Sequence, residues 1–309
     1  MKQNFLEKGM WTGYFICDPT PEDAILDFKK HGFYSAEMAN EHGAILLDRC
    51  GGDWTDKQTQ IKIGDKTSPD GKTPTDVGRE FGEFLKANGF SIPQAHLYYK
   101  LDLFHENAVE FHLRWMELYL AMGVKNLVLH VTGRGGEKPT DEQYKTITEN
   151  LSLLAKRLEN TDAYLCLENM RDGTSIDEDA DRLLKIIEDA GGSEHLGICL
   201  DTGHLNFSLY KGYTDMSHGD FIRKAGSRLH ALHIANNDGT GDLHCLPFNL
   251  KRGTGRIVNW KEVIDALKEI GYHDLFNFEV PGESQAPKPL LERKADYISF
   301  LADYMLSEM

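Results

Sequence analysis

The sequence AYLCLEN at residues 163–169 is followed along the chain by LGICLDTGH (196–204), LHALHIANND (229–238) and LFNFEVPGE (275–283). Each segment is a short run of apolar, β-prone residues that is followed by an acidic residue or a histidine. A longer amphipathic stretch separates each segment from the next. Strands that alternate with helices in this way form a parallel sheet with helical crossovers. The four segments therefore predict four consecutive βα units.

The same alternation continues toward the amino terminus, where four more strand candidates precede helical stretches. Eight βα units in 309 residues indicate a (β/α)8 TIM barrel, an α/β fold, and we predict one domain over residues 1–309. The predicted strands are Trp11–Ile16, Phe33–Met38, Ile92–His96, Asn126–Val131, Ala163–Glu168, Gly197–Asp201, Ala231–Ile234 and Leu275–Val280. The predicted helices are Pro21–Lys30, Thr75–Asn88, Asn107–Met122, Asp141–Glu159, Ile176–Ala190, Asp220–Ser227, Asn259–Ile270 and Pro289–Leu306.

Two connections are longer than an ordinary βα loop: Ala39–Pro74 after the second strand and Ala235–Val258 after the seventh. Both follow the carboxyl end of a strand, so both are expected over the same mouth of the barrel. The first is rich in Gly, Asp and Thr, which fits either a lid or dimer contact or a plain surface insertion. The sequence is therefore compatible with a homo-oligomer as well as with a monomer.

The amino-acid composition indicates which kinds of partner and which cellular compartment to expect. The 34 basic and 49 acidic residues give a net charge of −15, which repels polyanions and argues against nucleic acid. The five cysteines are scattered, without a Cys-x-x-Cys pair, and no apolar run reaches membrane-spanning length. We predict a cytoplasmic protein with neither a membrane nor a nucleic-acid partner.

Four of the polar residues that meet apolar strands form a candidate metal site: Glu168, Asp201, His233 and Glu279. In an α/β barrel the carboxyl ends of all strands meet at one mouth, where active sites are built. A single strand-end carboxylate can cap a helix or pair with a lysine, but four in succession would bury uncompensated charge. Their oxygen and nitrogen atoms suit one divalent ion, such as Mn²⁺, Mg²⁺, Co²⁺ or Zn²⁺.

A second group of residues is expected near the same mouth. His96 and His130 end the third and fourth strands, and we interpret both as substrate contacts rather than hydrogen-bonded core histidines. Asp242 and His244, in the long seventh loop, are a solvated polar pair, a substrate clamp or additional metal ligands. Glu37, which could bind a hydroxyl or form a salt bridge, is left out of the predicted site. Two glycine-rich turns, 133–136 and 251–255, could approach an anion or a sugar hydroxyl.

The motifs LCLENM, ICLDTGHLN, LHIANNDGTGDLH with the following GTG and NW, and FNFEVPGE resemble those of the sugar phosphate isomerase/epimerase family with a xylose-isomerase-like TIM barrel. The resemblance implies that Glu168, Asp201, His233 and Glu279 hold one divalent metal. It implies further that Glu168 and Glu279 act as an acid/base pair on opposite faces of a ketose. In the same family the histidine three residues after the aspartate, here His204, contacts the substrate.

Apurinic endonucleases are the main alternative, because they share the fold and many of the same residues. The shared positions are His96, His130, Glu168, Asp201, His204, His233, Asp242, His244 and Glu279. The longer interval between His244 and Gly253 and the acidic composition favour a small sugar over DNA. We therefore predict a metal-dependent sugar or sugar phosphate isomerase or epimerase that works through an enediolate. The alternatives are a β-eliminating lyase of an oxidised glycoside, a zinc phosphodiesterase, and a non-catalytic sugar-binding barrel.

Overall fold

The computed structural model describes residues 6–50, 55–56, 61–62, 71–132, 137–171, 173–174, 176–249, 257–282 and 286–309. Within them, eight parallel strands form the barrel. They are β1 (Lys8–Met10), β2 (Ser35–Met38), β3 (Ser91–His96), β4 (Asn126–Leu129), β5 (Tyr164–Glu168), β6 (Leu196–Asp201), β7 (Leu229–His233) and β8 (Phe276–Phe278). A separate antiparallel pair, Thr55–Asp56 with Ile61–Lys62, lies in the connection after β2.

The strands follow one another around the ring in chain order. Strands β2 to β7 form one continuous parallel sheet, and β1 pairs in parallel with β8. Two isolated parallel bridges close the ring, from Trp11 to Glu37 and from Ile234 to Phe278. The predicted TIM barrel is therefore confirmed.

Ten α-helices are described, most of them on the outside of the barrel: α1 (Pro21–Lys30), α2 (Asn40–Asp48), α3 (Pro74–Ala87), α4 (Ala108–Met122), α5 (Asp141–Lys156), α6 (Ala180–Asp189), α7 (Thr202–Lys211), α8 (His218–Ala225), α9 (Trp260–Ile270) and α10 (Lys288–Ser307). Local sequence sets their ends. Thr73 and Thr140 begin α3 and α5 with reciprocal capping boxes. Gly123, with φ of 99°, ends α4 in the left-handed conformation that favours glycine.

The first predicted strand, Trp11–Ile16, is wrong. The strand ends at Met10, and Thr12–Phe15 form a 3-10 turn. Tyr14 and Phe15 are both almost fully buried, and the Tyr14 hydroxyl donates to the carbonyl of Leu291 at 2.8 Å. A short run that is buried on every side lacks the alternation that identifies a strand.

Two helices were not predicted. The connection after β2 is long, as expected, but it opens with α2 rather than with an irregular loop. Helix α7 begins directly after β6, because Asp201 Oδ1 accepts the backbone N–H of His204 at 2.6 Å and caps it. Helix α6 also begins later than expected, at Ala180 instead of Ile176.

No helix in the described part of the chain combines the length and the apolar character needed to cross a membrane. The predicted glycine-rich turns at 133–136 and 251–255 lie outside the described residues.

Candidate active site

The four predicted metal ligands meet at the mouth of the barrel. Glu168, Asp201 and His233 are the last residues of β5, β6 and β7, and Glu279 directly follows β8. One donor atom from each lies within 4.8 Å of a donor atom of every other. The first three are almost fully buried, and the side chain of Glu279 is 15% exposed. The fold thus collects three carboxylates and one imidazole in a space of a few ångströms.

Glu168 occupies the centre of this cluster and contacts imidazoles with both oxygens. Its Oε2 lies 2.9 Å from Nε2 of His130 and 3.2 Å from Nε2 of His96. Its Oε1 lies 3.0 Å from Nδ1 of His233 and 3.4 Å from Nδ1 of His204. All four of these histidines therefore border the same carboxylate.

His233 is held by a residue that we left out of the predicted site. Its Nε2–H donates to Oε1 of Glu37 at 3.0 Å, and Oε2 of Glu37 in turn accepts from Nδ2 of Asn277 at 2.6 Å. This leaves Nδ1 of His233 facing Glu168 and Glu279, at 3.0 and 3.1 Å. A carboxylate that fixes the far nitrogen of an imidazole is a recurrent partner of metal-ligating histidines.

Three further histidines are oriented in the same manner by backbone carbonyls. His96 Nδ1–H donates to Leu97 at 2.6 Å, and His204 Nδ1–H donates to Asn169 at 3.0 Å. His244 Nδ1–H donates to the carbonyl of Glu279 at 3.1 Å. In each case the opposite nitrogen, Nε2, faces Glu168 or Asp242 and therefore points into the site.

The loop after β7 supplies the predicted Asp242 and His244. Asp242 Oδ1 lies 3.2 Å from Nε2 of His204 and 3.0 Å from Nε2 of His244, and its Oδ2 accepts from Arg171 at 3.1 Å. Among the described residues, three groups have donor atoms close enough to hold an ion. They are Glu168 with Asp201, His233 and Glu279; His96 with His130 and Glu168; and Asp201 with His204 and His244.

The surroundings of two buried carboxylate oxygens indicate whether the four-residue cluster could hold a cation. Asp201 Oδ1 accepts the capping hydrogen bond of α7, and its Oδ2 makes no hydrogen bond with the described residues. The enclosed Oε2 of Glu279 faces the imidazole nitrogens of His233 and His244, at 3.1 and 3.4 Å. Buried carboxylate oxygens are costly without a partner. Since both belong to the cluster that His233 Nδ1 also faces, the residues present fit a divalent cation.

The electrostatics of the cluster agree with that test. Burial raises the pKa of Asp201 to about 6. Burial also opposes the charged form of His244 and His233, but neighbouring groups, among them Glu279, outweigh it and raise the pKa of His244 to about 9 and that of His233 well above its ordinary value. The site therefore attracts positive charge, which a proton or a metal ion can supply.

A cavity of about 660 Å³ opens above the cluster. Beside the predicted site residues it is lined by a group that the sequence did not indicate: Trp11, Asn40, Glu41, Tyr99, Met170, Arg171 and Pro281. Asn40 and Glu41 were missed because α2 was not predicted. The apolar and aromatic surfaces among polar groups are typical of a small-molecule pocket.

A family described as xylose isomerase-like TIM barrel matches residues 19–301. The chain belongs to this family. The match extends from α1 almost to the end of α10, so it includes all nine of the predicted site residues.

Individual relatives of this xylose isomerase-like barrel bear different names. An uncharacterized protein, y4fM of Sinorhizobium fredii, is 28% identical over 189 residues, which are 58% of this chain and 55% of that protein. A probable endonuclease 4 of Staphylococcus saprophyticus is 27% identical over 217 residues, 66% of this chain and 70% of its own. A crystal structure of D-psicose 3-epimerase with D-tagatose from Clostridium cellulolyticum has a TM-score of 0.69 at 17% identity, covering 97% of this chain and 99% of that one.

Proposed function

We propose that this barrel is a divalent-metal-dependent isomerase or epimerase of a sugar. The observation that carries the proposal is the cluster of Glu168, Asp201, His233 and Glu279, whose donor atoms lie within 4.8 Å of one another below an open cavity. These four residues would hold the cation. When bound, it supplies positive charge beside the carbonyl and hydroxyl oxygens of a sugar, which favours loss of the neighbouring carbon-bound proton.

Glu168 and Glu279 would carry out the proton transfers. Glu168 is the last residue of β5, and Glu279 directly follows β8. The two side chains therefore reach the cavity from different strands of the ring. One carboxylate accepts the proton as the C–H bond breaks, and the electron pair forms the carbon–carbon double bond of the enediolate. Return of a proton to the same carbon from the other glutamate gives the epimer. Return to the adjacent carbon exchanges aldose and ketose.

Both carboxylates are held in the ionised form that this task requires. Burial opposes the charge of Glu279, but His233 and His244 outweigh it and lower the pKa of Glu279 to about 2. Both glutamates are therefore ionised at neutral pH, since the pKa of Glu168 is also held well below its ordinary value despite burial. A carboxylate must be ionised to accept a proton, and both glutamates meet that condition.

The names of structural neighbours support a sugar substrate. Structures named L-ribulose 3-epimerase and D-psicose 3-epimerase match nearly the whole chain. A β-eliminating lyase of an oxidised glycoside begins with the same proton abstraction. It stays a variant of the proposal, because the same two glutamates and the same cation would act in both reactions.

A second candidate is a metal-dependent phosphodiesterase. It is favoured by the two additional donor groups, His96–His130–Glu168 and Asp201–His204–His244, and by the relatives named probable endonuclease 4. Three ions in one site suit phosphoryl chemistry, whereas the proton transfer proposed above requires one. The net charge of −15 opposes binding to DNA at physiological salt.

Deuterium exchange tests the proposal. The purified protein is loaded with Mn²⁺, Mg²⁺, Co²⁺ or Zn²⁺ and incubated in D₂O with a panel of ketoses, and metal per chain is measured by elemental analysis. We expect one ion per chain and uptake of deuterium into at least one sugar. Three tightly bound zinc ions and rapid nicking of abasic duplex DNA would favour the phosphodiesterase. Binding of a sugar without exchange or elimination would favour a non-catalytic barrel.

A further inference from the structure

Glu41 is a carboxylate that nothing in the described protein satisfies. It lies in the first turn of α2 and lines the cavity. Its Oε2 is enclosed yet receives no hydrogen bond, and no described residue forms an ion pair with it. Because a buried polar atom without a partner is unusual in a folded protein, such an atom on a cavity wall indicates a group that a ligand supplies.

A metal ion does not explain Glu41. Among the described residues Glu41 belongs to none of the three groups whose donor atoms could hold an ion. On β2 itself, the carboxylate that reaches the cluster is Glu37, which bonds to His233 at 3.0 Å. Glu41 therefore lines the cavity without belonging to the groups that would hold the cation, so it is available to another part of a ligand.

The charge on the cavity wall limits what that part can be. Four carboxylates line the described cavity: Glu41, Glu168, Asp242 and Glu279. Four histidines line it as well, but their Nε2 atoms face Glu168 or Asp242, so they do not offset the charge of Glu41 directly. The arginine of the same lining, Arg171, already donates to Asp242 at 3.1 Å. A carboxylate accepts hydrogen bonds and cannot donate them, so it suits hydroxyl groups and repels a phosphate.

We propose that Glu41 accepts hydrogen bonds from hydroxyl groups of an uncharged, polyhydroxylated substrate and so makes the cavity select a free sugar over a phosphorylated one. The inference rests on the proposed function and narrows it. Glu41 is a specificity-determining residue here, whereas proton transfer stays with Glu168 and Glu279.

The test compares wild type with Glu41→Gln and Glu41→Asp, each loaded with metal. The substrates are the free ketoses D-fructose, D-tagatose and L-ribulose, and the charged probe is D-fructose 6-phosphate. Deuterium exchange gives KM and kcat, and saturation-transfer NMR gives binding without turnover. The matched control is Glu110→Gln, an exposed glutamate in the first turn of α4 that does not line the cavity.

Loss of a hydrogen bond to a charged group predicts that Glu41→Gln raises KM for the preferred free ketose about tenfold or more, with kcat nearly unchanged. The preference over the phosphate should shrink by a similar factor. The Glu110→Gln control should match wild type, and circular dichroism and metal content should be unchanged in all variants.

The two proposals fail in different ways. If wild type exchanges deuterium only into the phosphorylated sugar, or if folded, metal-loaded Glu41→Gln keeps the wild-type KM and preference, the role of Glu41 is wrong and the isomerase proposal survives. If no sugar exchanges in the metal-loaded wild type, the isomerase proposal fails and the selectivity proposal fails with it.

Discussion

The two ends of the barrel use the same kinds of polar side chain differently. At the amino-terminal end of the strands, Arg228 donates to the carbonyls of Ser193 and Leu196 at 2.6 and 2.8 Å, and His230 lies 3.2 Å from Asp274 while it stacks on Tyr164. At the mouth, by contrast, enclosed oxygens of Asp201 and Glu41 receive no hydrogen bond from the described residues.

This difference separates stability from function within one ring of strands. Arg228 and His230 at the amino-terminal end bond to other groups of the protein itself, so their loss should weaken the fold. Polar groups at the mouth are incomplete without a ligand, so their loss should weaken binding or chemistry and leave the fold largely intact. Substitutions at matched positions can test this division.

The largest effect is expected at the two glutamates of the mouth. Glu279→Gln and Glu168→Gln preserve side-chain size and an oxygen ligand but remove the charge that accepts a proton. Loss of a general base costs on the order of 10²–10⁴ in rate. Deuterium exchange into the preferred ketose should fall by that factor in each variant while metal is still bound. Exchange at the wild-type rate in both metal-loaded variants would rule out the two-carboxylate mechanism.

A smaller effect is expected where a carboxylate orients a histidine. Glu37 holds His233 at the mouth, and Asp274 holds His230 at the opposite end, at similar distances of 3.0 and 3.2 Å. Loss of a carboxylate that orients a metal-ligating histidine typically weakens metal affinity 10–100-fold. Competition with a metallochromic chelator should show this loss in Glu37→Gln and none in Asp274→Asn. Equal metal affinity in the two variants would mean that Glu37 is not part of the metal site.

Much of the mouth could be predicted because barrel geometry fixes it. An apolar strand that ends in Glu168 or Asp201 must deliver that side chain to the carboxyl-terminal face, whatever the details of the surrounding loops. The eight βα units were therefore enough to bring together residues separated by more than a hundred positions, such as Glu168 and Glu279. Only the first strand was misplaced, since its buried aromatic run lacks a strand's alternation.

The supporting contacts could not be predicted in the same way. The bond from His233 to Glu37 joins residues 196 positions apart, and nothing beside Glu37 in the sequence distinguishes it from a surface ion pair. Glu41 was hidden for another reason: its helix begins at a residue without a side-chain cap, directly after a strand. Such roles depend on which side chains meet in three dimensions, which a local pattern does not record.

The amino-terminal end should respond in the opposite way to the mouth. Arg228→Ala removes the donors for three carbonyls, of Gly192, Ser193 and Leu196. We expect the free energy of unfolding to fall by about 1–3 kcal/mol, measured by urea denaturation, with metal affinity and exchange rate unchanged. The control is Arg223→Ala, whose exposed ion pair with Glu269 should contribute little. A loss of metal affinity in Arg228→Ala without a loss of stability would contradict the division between the two ends.

The smallest effect is expected at a buried histidine that lacks a hydrogen-bond partner but does not line the cavity. His112 is fully buried in α4, away from the cavity lining, and neither ring nitrogen has a hydrogen-bond partner among the described residues. Burial lowers the pKa of His112 from 6.5 to about 3, so its neutral form is favoured in the folded state, and the stability it contributes above pH 6.5 is lost as the pH falls toward 3. Between pH 6.5 and 5.5 the free energy of unfolding should fall by roughly 1 kcal/mol through this group. That part of the fall should disappear in His112→Phe and persist in His273→Phe, whose histidine is exposed. An unchanged pH dependence in His112→Phe would mean that His112 protonates in the folded protein at its ordinary pKa.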